Sequence, residues 1–264
     1  MIKAKKSLGQ NFLIDKNILE KIVNLTNIKN QTILEIGPGT GNLTSLILKK
    51  KPSKLLVIEK DKNLAVNLSN EFKDQIIIIN NDVLKVNEKK MMNEENNVIV
   101  FGNLPYNIST EILCKWILNL DKNNFWFNKL ILMFQKEVAN RIIADYNTSN
   151  YGRLSIIANW KLNIKKITDI KPQSFSPKPK VDSSVLVFTP KNDFFQINEP
   201  KNLEKITRTF FNQRRKMIKK PINQLFKKNH KIVKKLNLNL NLRPQNLDTK
   251  TYYKITREYE NLRS

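Results

Sequence analysis

Thr32-Ile33-Leu34-Glu35-Ile36-Gly37-Pro38-Gly39-Thr40-Gly41 is an apolar, β-branched run that breaks into three glycines within five residues. Leu43, Leu46 and Ile47 follow at helical spacing, so the stretch reads as strand, tight turn and helix. Glycines at such a turn permit left-handed backbone and let a ligand approach the main chain closely. Comparable apolar runs recur at 55–58, 76–79, 98–101 and 130–134, with helical stretches between them. Continuous runs of this length suit strands buried on both faces, as in parallel sheets. The alternation predicts an α/β fold with a doubly wound sheet. A first helix over 15–25, capped by Asp15, precedes it.

In open α/β sheets, ligands bind at the carboxyl ends of the strands. Glu59 follows the second run, where an acid can accept from both ribose hydroxyls of a nucleoside. Asp82 follows the third, placed to accept from an adenine amine. The G-x-x-x-x-G-K-[ST] loop of nucleotide triphosphatases is absent.

The fourth run leads into Gly102-Asn103-Leu104-Pro105-Tyr106-Asn107-Ile108-Ser109-Thr110. An aromatic exocyclic amine is a poor nucleophile because its lone pair is delocalised into the ring. Two acceptors, the Asn103 side-chain oxygen and the Leu104 carbonyl, can bind both of its N–H groups and draw nitrogen toward tetrahedral geometry. Pro105 restricts the residue before it to extended backbone, which aims that carbonyl. Tyr106 offers a stacking face worth roughly 1–3 kcal/mol per base. With an activated methyl donor, S-adenosylmethionine, positioning does most of the work, and neither metal nor strong base is required.

Composition narrows the partners. There are 47 Lys+Arg against 23 Asp+Glu, a formal charge of +24, and a surplus this large favours a polyanion such as nucleic acid. The lone cysteine, Cys114, excludes disulfide frameworks and cysteine clusters, and reads as a core residue of a helix. The lone histidine, His230, argues against a histidine metal centre, so no metal is expected. No apolar run approaches the roughly 20 residues of a membrane span, and the basic N-terminus lacks a signal-peptide core. The chain therefore reads as cytoplasmic, with no membrane partner.

A Pro/Ser/Lys-rich loop over 171–180 precedes a last strand at 181–188, and 190–200 reads as a linker. Beyond it the chain is helical and basic, with Leu203, Ile206, Phe210 and Met217 on one face. A final helix from Asp248 should bury Tyr252, Ile255, Tyr259 and Leu262. Two domains are expected: 1–192, carrying the cofactor, and a small all-helical one, 193–264.

At these residues the sequence resembles the ribosomal RNA adenine N6,N6-dimethyltransferases, and within them the small-subunit branch. The likeness runs through Lys6-Ser7-Leu8-Gly9-Gln10-Asn11-Phe12-Leu13, the 34–41 loop, 103–110, Gln135-Lys136-Glu137-Val138-Ala139, Tyr151-Gly152-Arg153-Leu154-Ser155 and Phe175-Ser176-Pro177-Lys178-Pro179-Lys180-Val181. The resemblance implies a Rossmann-like class I methyltransferase domain. It also implies that Asn11 and Leu13 contact S-adenosylmethionine with Gly37, Glu59, Asp82 and Asn103, and that Phe175 faces Tyr106 to sandwich the target adenine. The expected reaction is dimethylation of two adjacent adenosines near the 3′ end of small-subunit rRNA, by a monomer, linked to late assembly of that subunit. Arg214, Arg215, Lys216 and Lys219 are expected to grip RNA. Ser184 replaces a small apolar residue more usual in the family, which should affect only strand packing. The segment Phe210-Phe211-Asn212-Gln213-Arg214-Arg215-Lys216 separates this branch from the related large-subunit enzymes, which share the catalytic core.

Overall fold

The computed structural model describes residues 4, 5, 8–92, 95, 97–120, 125–227 and 231–263; Lys6, Ser7 and His230 lie outside the described residues. The first strand, β1 (Phe12–Leu13), is followed by α1 (Lys16–Val23). Asp15 caps α1 by accepting from the N–H groups of Asn17 and Ile18, as expected. The decisive run forms β2 (Thr32–Ile36), buried at every position, and α2 (Asn42–Lys49) starts directly after the glycine turn. The alternation continues through β3 (Lys54–Ile58), α3 (Lys62–Phe72), β4 (Ile77–Ile79) and α4 (Glu88–Met91). Next come β5 (Ile99–Asn103), α5 (Ser109–Leu118), β6 (Lys129–Gln135) and α6 (Lys136–Ile142). Then follow α7 (Arg153–Lys161), β7 (Leu162–Ile170), β8 (Phe175–Ser176) and β9 (Ser183–Pro190). The rest is helical: α8 (Pro200–Phe211), α9 (Lys219–Phe226), α10 (Lys231–Lys235) and α11 (Thr249–Asn261).

Seven strands form one sheet in the order β4-β3-β2-β5-β6-β9-β7. The first five run parallel, while β9 lies antiparallel to β6. Chain order reverses at β2, which sits between β3 and β5, and this switch point is where open sheets form a ligand crevice. The register pairs Ile36 with both Ile58 and Gly102, and Ile58 with Ile79, so four strands end at one level. Ile33, Val57 and Phe101 are wholly excluded from solvent and anchor the core beneath that edge. Each such side chain contributes about 1.5–3 kcal/mol on burial.

Within the seven-stranded sheet, two strands differ from the sequence expectation. β4 is an edge strand, so Ile77 is half exposed despite its all-isoleucine surroundings. β7 was not anticipated: Lys165 and Lys166 interrupt its apolar pattern, as suits the opposite edge, where lysines discourage intermolecular pairing.

The chain forms two compact units. One comprises residues 1–113, 123–139 and 164–190; the other comprises 114–122, 140–163 and 191–264. The second unit thus recruits residues well before 193. The reason is local packing: Tyr253 Oη donates to the Ile156 carbonyl at 2.9 Å, and the Tyr151 and Phe211 rings meet edge to face. Leu203, Ile206 and Phe210 are buried as expected, as are Tyr252, Ile255 and Tyr259, and Asp248 caps α11 through Thr251 N–H. Met217 and Leu262 are not buried. Met217 lies in the turn after α8 and Leu262 beyond the last residue of α11, so neither continues its helical face.

Candidate active site

A cavity of about 170 Å³ opens at the carboxyl edge of β2, β3, β4 and β5. One water needs roughly 10–15 Å³, so the space suits a ligand of many atoms. Gly37, Glu59, Asp82, Asn103, Leu104, Pro105 and Tyr106 all line it, with Asn11 from the N-terminal segment. Leu13 instead lines an adjoining recess with Gly37 and Asn103, and its carbonyl accepts from Asn42 Nδ2 at 2.8 Å.

The glycine turn is shaped for close approach. Gly39 has φ +60, and a Cβ there would lie 2.7 Å from the Phe12 ring. Its N–H donates to Glu59 Oε2 at 3.2 Å, while Glu59 Oε1 accepts from Asp61 N–H at 2.8 Å. Each carboxylate oxygen keeps a further lone pair for a ligand hydroxyl. Burial raises the Glu59 pKa above the ordinary value, and the N–H bonds from Asp61 and Gly39 offset part of that rise. Glu35, buried beneath the turn, accepts from Thr44 Oγ1 at 2.7 Å; burial pushes its pKa up to about 7.

Asp82 takes a hydrogen bond and ion pair from Lys60 Nζ at 2.7 Å, and its other oxygen accepts from Leu84 N–H. The Lys60 contact chiefly holds the Asp82 carboxyl below its usual range.

Asn103 is the last residue of β5. Its Nδ2 donates to the Asn11 carbonyl at 2.8 Å, which turns Oδ1 away from that carbonyl. Leu104 is buried, and its side chain packs back over Gly102, where an added Cβ would lie 2.8 Å from it. Tyr106 is half-buried, and its hydroxyl lies 2.5 Å from Ser183 Oγ.

The segment carrying Asn11 is tied down by residues that sequence reasoning missed. Lys5 Nζ pairs with Asp61 at 2.9 Å, and Gln10 Nε2 donates to the same carboxylate at 3.3 Å. Burial alone would raise the Asp61 pKa, but the bonds from Lys5, Asn63 and Gln10 hold it below the ordinary value. The only local signal was Asp61 as the cap of α3; its long-range partners left none.

Phe175 is not among the residues that line the cavity. It was expected to face Tyr106 across the target base, yet it is 1% exposed and packs in the core with Leu13 and Val185. Pairing of β1 with β8 sets Phe175 opposite Leu13 and turns it inward, leaving Ser176 outward. Ser184 also does more than pack: its Oγ donates to Asp169 Oδ1 at 2.6 Å.

The family model for ribosomal RNA adenine dimethylase matches residues 1–261. The chain belongs to that family. It is therefore an S-adenosylmethionine-dependent methyltransferase, and the arrangement of this dimethylase's edge suits the cofactor: a buried carboxylate with spare lone pairs, and a glycine turn with no room for a side chain. The ribosomal RNA small subunit methyltransferase A of Pelagibacter ubique (strain HTCC1062) is 63% identical over 262 residues, covering 99% of each chain. The crystal structure of a dimethyladenosine transferase from Plasmodium falciparum superposes with a TM-score of 0.77 at 26% identity, covering 95% of this chain and 98% of that one. That of the 23S rRNA methyltransferase ErmE gives 0.66 at 18% identity, covering 94% and 99%, a likeness of fold.

The residues expected to contact RNA lie in the second unit of the dimethylase and differ in exposure. Arg215, Lys216 and Lys219 are exposed. Arg214 is engaged within the unit: its guanidinium donates to the Ser149 carbonyl and to Gln245 Oε1. Cys114 is part-buried, and burial pushes its thiol up to about 11, far from a reactive thiolate.

Proposed function

We propose that this dimethylase transfers methyl groups, two to each, to the N6 amines of two adjacent adenosines near the 3′ end of small-subunit rRNA. The observation that carries the reading is the meeting of Asn103, Leu104, Pro105 and Tyr106 with Gly37, Glu59 and Asp82 around one cavity. S-adenosylmethionine supplies a sulfonium methyl that needs no further activation. Glu59 accepts from the ribose hydroxyls, and Asp82 accepts from the adenine amine of the cofactor while sharing its charge with Lys60. Asn11 and Gly37 complete the cavity wall, and Leu13 lines the recess that adjoins it.

The chain's own contribution to transfer is orientation. Asn103 Oδ1 and the Leu104 carbonyl accept the two N–H bonds of the target amine, so its lone pair leaves conjugation with the ring. The hydrogen bond from Asn103 Nδ2 to Asn11 supports this assignment, since it commits the amide's donor and leaves its oxygen for substrate. Tyr106 stacks on the base, and the proton displaced from nitrogen leaves to solvent. Arg215, Lys216 and Lys219 hold the phosphate backbone, with Arg214 bracing the turn that leads into α9.

The relative at 63% identity is a small subunit methyltransferase, which supports the small-subunit substrate for this chain. We further propose a cytoplasmic monomer acting on a late assembly particle; among the described residues no helix is long and apolar enough to cross a membrane. The test is incubation with labelled cofactor and, separately, undermethylated small subunits, naked rRNA and large subunits. Label in two adjacent adenosines of the small-subunit RNA is expected. Label only in large-subunit RNA would overturn the assignment.

A further inference from the structure

Tyr106 leaves the sheet in an irregular segment between β5 and α5, where no ladder of backbone hydrogen bonds holds it. Its hydroxyl nevertheless has a fixed partner, the Ser183 hydroxyl at 2.5 Å. Ser183 is completely buried, opens β9, and pairs in register with Gln135 of β6. Its neighbours are pinned on both sides. The carbonyl of Asp182 accepts from Lys136 N–H at 2.9 Å, and its carboxylate takes Lys171 at 2.9 Å and Lys136 at 3.5 Å. On the other side, Ser184 donates to Asp169, which also pairs with Lys136 and Lys166.

We infer that Ser183 is a positioning residue for methyl transfer: its hydroxyl clamps Tyr106 and so sets the plane on which the target base lies. The inference rests on the reading of Tyr106 as the base-stacking residue. Stacking alone requires only a ring, which phenylalanine would supply. A phenol whose oxygen is held by a core strand gives that ring one orientation. β6, the strand paired with Ser183, also pairs with Asn103, through Met133. Ring and amine acceptors are therefore referenced to the same strand. A small misplacement of the base relative to the acceptors is costly in rate, because near-attack geometry supplies much of the acceleration.

Single-turnover methylation of undermethylated small subunits tests the clamp, with cofactor Kd and Tm measured alongside. Ser183→Ala and Tyr106→Phe should each slow transfer about threefold to tenfold, the loss of one hydrogen bond, with cofactor Kd unchanged. The double variant should be no slower than either single one, and Ser183→Thr, which keeps the hydroxyl, should restore the rate. Full rate in either single variant, multiplying losses in the double, or a Ser183→Thr enzyme as slow as Ser183→Ala would each overturn the clamp. If Ser183→Ala does not fold, Tyr106→Phe decides alone: full rate overturns the proposal. Tyr106→Ala separates the two readings. Full rate there overturns stacking itself, whereas loss there with full rate in Tyr106→Phe and Ser183→Ala overturns only the clamp.

Discussion

The side-chain amide of Asn103 donates to the main-chain carbonyl of Asn11 at 2.8 Å, joining residues 92 apart in sequence. One bond thus links the strand end proposed to meet the target amine to a segment that lines the cavity. Because the acceptor is a backbone carbonyl, Asn103 must present nitrogen to it, and its oxygen is left for substrate.

Asn103→Ala should therefore lose transfer while largely keeping cofactor. A single preorganised polar group of this kind is worth about 10²–10³ in rate. One lost hydrogen bond should weaken cofactor binding by no more than about tenfold. Single-turnover kinetics beside calorimetric titration with S-adenosylmethionine separate the two effects. An Asn103→Ala enzyme of full activity would refute the amine contacts.

Gly39→Ala should damage both stability and cofactor binding. The left-handed backbone there costs a non-glycine residue roughly 1–2 kcal/mol, and the new Cβ would lie 2.7 Å from Phe12. Phe12 and its neighbours would have to shift out of the cavity wall. A lower Tm together with a weakened cofactor Kd is expected; a variant unchanged in both would show that the turn tolerates a side chain.

Glu35 should make stability pH-dependent in a definite sense. Its pKa in the fold is about 7, raised by burial from an ordinary 4.5. Between those values the folded state binds more protons than the unfolded one, so this group's contribution is full below about pH 4.5 and fades as pH rises through 7, by up to roughly 3 kcal/mol. Glu35→Gln keeps an acceptor for Thr44 and removes the titration. Chemical denaturation from pH 4.5 to 8 should show a flatter profile for the variant. Parallel profiles would mean that Glu35 does not titrate in this range.

The basic turn after α8 should divide by function. Arg214→Ala should lower Tm, because the guanidinium holds Ser149 and Gln245. Arg215→Ala, Lys216→Ala and Lys219→Ala should leave Tm unchanged, and each should reduce the salt dependence of RNA binding by about one phosphate contact. Binding measured across a salt series reads this directly. An unaltered slope in the triple variant would remove these residues from the interface.

Local pattern carried much of the architecture. The β-branched runs foretold five strands, because residues buried on both faces must be apolar at every position. It failed where burial is uneven: β7 has lysines at a sheet edge, and Met217 and Leu262 sit just past helix ends. The cavity residues of β2, β3 and β5, and Asp82 beyond β4, were legible because each closes or follows a strand.

Gly37, Glu59, Asp82 and Asn103 were readable from the chain alone, since parallel strands of matched register must end together. Tertiary structure decided everything that depends on distant partners. It set Asn11 against Asn103, Lys5 and Gln10 against Asp61, and Ser183 against Tyr106. It also turned Phe175 into the core through the pairing of β1 with β8. Spacing along a strand or helix reports which face a residue occupies, but a hydrogen bond across the fold depends on where two separate segments are brought together.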